Sequence, residues 1–200
     1  MVFNIRGTGG SGKSTVVKRI MALYERCQPI FAEGRKQPLY YICSLPKNGT
    51  TGPTLLVPGH YEIACGGCDT LKGPDIVYDL VRREGVQQNR HVLFEGIIIG
   101  DDVTRLVNLH LDNRGDVEVI ALNTSIEDCV KAINDRRQAK KADAEAVNPT
   151  NTRNRAERLR KYMLPRIKDA GIVVSVLGRE EAYTYIAGKL DLLPHVGEWS

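Results

Sequence analysis

The stretch "GTGGSGKS" at residues 7–14 constrains this chain more than any other. It follows a short apolar run, "VFNIR", and opens "KSTVVKRIMALYERC", which carries Val16, Ile20, Leu23 and Tyr24 at helical spacing. Strand, glycine-rich turn and helix in that order match G-x-x-x-x-G-K-[ST], the pattern of a phosphate-binding loop. Glycines let the backbone curl until several N–H groups converge on one anion, and the helix start adds the positive end of its dipole. The pattern predicts that Gly7, Gly9, Gly10, Ser11, Gly12, Lys13, Ser14 and Thr15 hold a nucleotide such as ATP. Lys13 is expected at the β- and γ-phosphates, and Ser14 on Mg²⁺. Gly7, Gly9 and Gly12 also spell G-x-G-x-x-G, the dinucleotide fingerprint, with Glu33 about 20 residues further on. Lys-Ser directly after the last glycine has a role only in the phosphate loop, which decides between the two.

The rest of the chain alternates strand-like and helix-like segments. "LYYICS" and "TLLVPG" read as strands around a Lys-Asn-Gly turn, "PDIVYDLVRREG" as a helix and "HVLFEG" as a buried strand. "DVTRLVNLHLDNRG" reads as a helix closed by Gly115, and "VEVIAL" as another buried strand. "SIEDCVKAINDRRQAKK" follows, with Ser125 and Asp128 at capping-box-like spacing. Residues 142–152 are polar and read as a loop, and a basic helix is expected over roughly 153–170. "IVVSVL" and "REEAYTYIAGKLDLL" supply a last strand and a last helix. This order predicts an α/β fold, a three-layer α/β/α sandwich with a mainly parallel sheet. A single domain is expected over residues 1–193, with a tail at 194–200.

Composition fits a folded protein of 200 residues, 42% hydrophobic and 26% charged. The longest apolar runs are too short and interrupted to span a bilayer, so no membrane partner is expected. No secretory signal is visible, and a cytoplasmic location follows as the default. Five cysteines without an export signal favour free thiols over a disulfide framework. Residues 131–168 hold 12 Lys+Arg against 4 Asp+Glu, although the whole chain carries only +4. Such a segment attracts polyanions, either nucleotide phosphates or a nucleic-acid backbone.

Phosphoryl transfer needs an acid near Mg²⁺. Glu95 ends the apolar run "HVLFEG", at the strand end where ligands bind in α/β sheets. Asp101 and Asp102 are expected to cap the next helix. The Glu-Gly ending resembles the corresponding strand of uridine-kinase-like P-loop kinases. Kinases of that kind carry a lid of arginines, and "NDRRQAKK…NPTNTRNR" has its shape, with a lid over about 138–152. Arg136 and Arg137 come first as the guanidinium groups for the transferring phosphoryl, and Arg153 and Arg155 second. "LGREEA", after the last strand, falls where such kinases hold adenine.

The middle of the chain, "VPGHYEIACGGCDT", together with "IRGTGGSGKST" and "HVLFEG", resembles the P-loop kinases of bacteriophages with hypermodified thymine. Among these are the 5-hydroxymethyluridine DNA kinases. The resemblance implies an ATP-dependent phosphotransferase acting on the hydroxymethyl group of a base within DNA. In P-loop kinases the acceptor binds between a strand and the following helix, which implies residues 57–75 here. Asp69 is the first candidate for the base that takes the hydroxyl proton, and Glu62, Asp75 and Glu95 are alternatives. His60 offers a base or a phosphate contact, and Tyr61 a face on which a nucleobase could stack. His60, Cys65 and Cys68 could instead bind zinc, but they lack a fourth ligand. A redox role for Cys65 and Cys68 lacks the setting that lowers a thiol pKa. The preferred reading is structural: a Gly-Gly turn flanked by two small residues, shaping the acceptor pocket.

Three activities fit these residues. A kinase acting on 5-hydroxymethyluracil in DNA comes first, and a kinase of free nucleosides or nucleotides second. A nucleic-acid-dependent ATPase without a phosphate acceptor comes last, for want of an Asp-Glu strand ending.

Overall fold

The computed structural model describes residues 1–50, 53–63 and 66–193. Two runs with no exposed position, β1 (Val2–Arg6) and β6 (Val117–Leu122), lie side by side in parallel. On the other flank of β1 lies β5 (His91–Glu95), also parallel, with Val2 opposite Val92 and Ile5 opposite Glu95. Parallel strands covered on both faces read as continuous apolar runs, because neither side of the pleat meets water. Successive side chains of β1 then serve two cores. Val2 packs with Tyr78, Val81, Leu106, Leu109 and Ile167 on one face. Phe3 and Ile5 pack with Val16, Val17, Ile20, Ala182 and Ile186 on the other.

The whole sheet has seven strands in the order β2-β3-β4-β5-β1-β6-β7, adding β2 (Tyr24–Ile30), β3 (Tyr40–Pro46), β4 (Leu55–Pro58) and β7 (Val173–Leu177). Pairings of β1 with β5 and β6, of β4 with β5 and of β6 with β7 are parallel. Those of β3 with β2 and β4 are antiparallel. The fold is thus mixed α/β with a mostly parallel sheet. Helices α1 (Lys13–Met21) and α8 (Arg179–Lys189) cover one face. On the other lie α2 (Pro74–Leu80), α4 (Thr104–Asp112) and α7 (Leu164–Asp169). A four-residue helix, α3 (Ile97–Gly100), follows β5. Beside them run α5 (Ile126–Lys140) and α6 (Pro149–Arg158), the latter continued into α7 by a π turn at Leu159–Met163. Ser125 caps α5 by accepting the Asp128 N–H at 3.0 Å, as its spacing predicts. Among the described residues no helix is long and apolar enough to cross a membrane.

Three expectations are corrected. The first helix does not run to Cys27. It ends at Met21, and Tyr24–Ile30 is the outer strand β2. Its Pro29 and its exposed charged residues suit an edge, where one row of backbone groups goes unpaired. The pairing of β2 with β3 sets Cys27 opposite Cys43, and these two form a disulfide in place of the expected free thiols. Finally, "NPTNT" is not loop. Asn148 accepts the Thr150 N–H at 2.9 Å and Pro149 takes the first helical position, so the loop after α5 ends at 148. The expected tail at 194–200 lies outside the described residues.

Candidate active site

Parallel topology brings the carboxyl-terminal ends of β1 and β5 to the same end of the sheet, and the loop after each bounds a cleft of about 770 Å³. The loop after β1 depends on glycine at two points. Gly10 and Gly12 have φ of 79° and 93°, in the left-handed region. A β-carbon on Gly10 would strike the Cys129 carbonyl of α5, and one on Gly12 would meet the Arg179 side chain at 2.5 Å. Thr124 donates to the Ser11 carbonyl at 2.9 Å, and Thr8 to the Cys129 sulfur at 3.2 Å, which pins the loop to α5. No side chain caps the start of α1, so its first N–H groups remain available to an anion.

Lys13 begins that helix, only 6% exposed, and its Nζ donates to the Gly7 and Thr8 carbonyls at 2.9 Å each. Burial lowers its pKa, and the nearby Glu95 and Asp69 carboxylates oppose that shift. Ser14 Oγ donates to Oε1 of Glu95 at 2.8 Å. Glu95 is 2% exposed, and burial pushes its carboxyl above the ordinary range. Lys13 and the Ser14 hydroxyl pull it back, while Asp69 adds to the rise. The two residues expected to share Mg²⁺ are therefore in direct contact.

The segment between β4 and α2 reaches the same cleft. Gly67 lies against Glu95 so closely that a β-carbon there would collide with Oε1. Asp69, in a short turn at Cys68–Thr70, borders the cleft and accepts the Ile97 and Ile98 N–H groups at 2.9 Å each. These bonds fix the carboxylate across the start of α3. His60 and Tyr61, by contrast, are 3% and 4% exposed. The Tyr61 ring packs edge-on to Tyr41 in the core rather than offering a stacking face, and His60, expected as a base or phosphate contact, is likewise buried. Glu62 is exposed, and Asp75 pairs with Arg105 at 2.7 Å. Asp102 accepts the Arg105 N–H at 2.9 Å as a helix cap, whereas Asp101 pairs with Arg155 at 3.0 Å.

Cys65 lies outside the described residues. Cys68 is buried, and burial raises its thiol well above its usual pKa. Among the described residues no group of three or more His, Cys, Asp or Glu could hold a metal ion.

The arginines expected in the lid divide. Arg136 borders the cleft and donates to the Ala132 carbonyl at 3.0 Å. Arg137, its equal in the sequence, turns instead to a separate hollow beside Glu145 and Asn148. Arg153 is exposed. Arg155 reaches back to Asp101 and to the Ile97 carbonyl at 3.4 Å, beside a small hollow bounded by Gly7 and Thr8. Two further cations stand near the loop: Arg179, from the segment "LGREEA" expected at adenine, and Arg6, for which no role was expected. Arg179 lines the cleft from the start of α8. Arg6 is fully buried beneath the loop and donates to Asn4 Oδ1 and to the Gly100 and Asp102 carbonyls at 2.7, 2.7 and 2.9 Å. A charged residue ending an apolar strand was the available signal for Arg6.

Fold and cleft define a mixed α/β protein whose glycine loop, the buried Glu95 and the Asp69 carboxylate meet at one end of the parallel strands of its sheet. The chain is 43% identical over 190 residues to the 5-hmdU DNA kinase of Pseudomonas phage PaMx11, covering 95% of this chain and 97% of that protein. It is also 37% identical over 89 residues to a 5-hmdU DNA kinase of Delftia phage PhiW-14, covering 43% of this chain and 27% of that one. No family model matches. This chain belongs to the phage 5-hmdU DNA kinase family.

Proposed function

We propose that this chain is a P-loop kinase that moves the γ-phosphoryl group of ATP to the hydroxymethyl oxygen of 5-hydroxymethyluracil in DNA. The carrying observation is the 43% identity, over 95% of the chain, to a protein named for that activity. The contact between Ser14 and Glu95, beside Lys13 and the uncapped start of α1, supports the nucleotide side. Residues 1–193 act as one kinase unit, with the lid between α5 and α6 and the acceptor segment at 57–75.

Mg²⁺ suits this cleft. It takes hard oxygen ligands and needs only one or two from the protein besides waters and phosphates. Ser14 Oγ and a Glu95 carboxylate oxygen, 2.8 Å apart, would hold it. Bound there, it supplies charge neutralisation at the β- and γ-phosphoryl oxygens.

Lys13 leaves its two loop carbonyls to meet those phosphates. Arg136 and Arg155 approach the γ-phosphoryl from α5 and α6, and Arg179 flanks the nucleotide near Gly12. The acceptor oxygen forms its bond to the γ-phosphorus as the bond to the β,γ-bridging oxygen breaks. ADP departs with that electron pair, and the hydroxyl proton passes to Asp69. Two backbone N–H groups orient the Asp69 carboxylate, and its remaining lone pairs are available to the acceptor.

Incubation with labelled ATP and either DNA containing 5-hydroxymethyluracil or the free nucleoside and nucleotide tests this. Label in the DNA is expected. Label confined to monomers overturns the acceptor, and DNA-stimulated phosphate release without a labelled product overturns the kinase.

A further inference from the structure

A second hollow, of about 550 Å³, opens where the β2–β3 connection meets the acceptor segment. Its walls carry Arg35, Lys36 and Lys72 against one acid, Glu33. Lys36 and Lys72 are exposed, and neither lies within ion-pair distance of a carboxylate among the described residues. Arg35 is half-buried. Its Nε and Nη2 donate at 2.9 Å to the Gln37 and Thr70 carbonyls, which ties the connection to the acceptor segment.

Thr70 borders both this hollow and the catalytic cleft, and Asp69 precedes it. A basic surface therefore begins one residue from the carboxylate assigned to the acceptor hydroxyl. A free nucleoside has no use for cations there. A polymer does, because the strand leaving the target base must run somewhere, and each phosphate it carries is a unit negative charge.

We propose that Lys36 and Lys72, positioned by Arg35, bind the phosphodiester backbone of DNA next to the target nucleotide, so that this hollow holds the strand while the cleft holds the base. The assignment rests on DNA being the acceptor. It separates a local track from the diffuse attraction of the basic segment at 131–168.

Both lysines are exposed, so their truncation leaves the fold intact. The test compares Lys36→Ala/Lys72→Ala with a control of equal charge loss, Lys161→Ala/Lys168→Ala, both exposed and distant in sequence. Fluorescence anisotropy with a single-stranded oligonucleotide containing 5-hydroxymethyluracil reads affinity across a salt series. Two lost phosphate contacts should weaken binding about tenfold and reduce the slope of log K against log[salt] by about 1.4, from roughly 0.7 per contact on single strands. The control should move neither by as much. Equal losses in both variants, or none in the first, overturn the track. Wild-type protein that labels only monomers overturns instead the DNA reading beneath it, so the two failures are distinct.

Discussion

The Ser14 hydroxyl donates a 2.8 Å hydrogen bond to the Glu95 carboxylate, joining the first turn of α1 to the last residue of β5. The residues at the two ends of that bond come from segments 81 positions apart. They meet because the parallel pairing of β1 with β5 brings the loops after both strands to the same end of the sheet.

In the proposed mechanism Lys13→Ala removes the cation that would face the transferring phosphate. Steady-state turnover should fall by at least about 100-fold, the scale of losing one charge-stabilising donor. The melting temperature should move little, because Lys13 bonds two loop carbonyls rather than core side chains. Near-normal turnover would refute the loop's role.

Glu95 makes a pH signature. Burial raises its carboxyl above the ordinary value of 4.5, so the folded chain holds this proton to higher pH than the unfolded chain. Its contribution to stability is complete below about pH 4.5 and is lost as pH rises through the raised value. Melting curves should therefore decline less steeply across that window in Glu95→Gln than in the wild type. The same variant should need more Mg²⁺ for half-maximal turnover. Identical pH slopes would show that Glu95 titrates as an ordinary carboxylate.

Asp69→Asn keeps the shape of the side chain but removes its basicity and one of its two anchors on α3. Turnover should fall by about 100-fold, at the lower end for a lost general base, while the KM for ATP changes little. A raised ATP KM with unaltered turnover would make Asp69 a nucleotide contact instead.

Arg136 and Arg137 are adjacent and chemically identical, yet only Arg136 borders the cleft. Arg136→Ala should lower turnover about 100-fold or more, as for other groups that neutralise transition-state charge. Arg137→Ala, on an exposed helix face, should leave turnover near the wild-type rate. Equal losses would mean that the loop after α5 rearranges when substrates bind.

Much of the sheet is legible in the sequence because β1, β5 and β6 are buried on both faces, and such strands announce themselves as unbroken apolar runs. The end of α1 is not. Apolar spacing carries on through Leu23 and Tyr24, and only pairing with β3 claims Tyr24 for a strand. Register also hides the partnership of Cys27 with Cys43, since the chain gives no local sign of which residues will face each other. Asn148-Pro149 was open to a better reading, because a cap followed by proline marks a helix start as well as a turn. In the site, Lys13, Ser14 and Glu95 follow from motif and strand position. His60 and Tyr61 lie buried, because residues able to contact a phosphate or a nucleobase are equally able to fill a core. Arg6 adjoins the loop in the chain, but its burial against Asn4, Gly100 and Asp102 comes from tertiary packing, which spacing along the chain does not encode.

The Glu95 carboxylate touches Ser14 on one side and leaves no room for a side chain at Gly67 on the other. In the proposed mechanism the nucleotide half and the acceptor half of the cleft thus share a single party wall. A mutation that reshapes the acceptor side at position 67 would be felt at once by the nucleotide side. Under that mechanism, new acceptor preferences are therefore expected at positions such as the exposed Glu62 rather than at Thr70, whose hydroxyl donates to the Gly67 carbonyl at 2.8 Å.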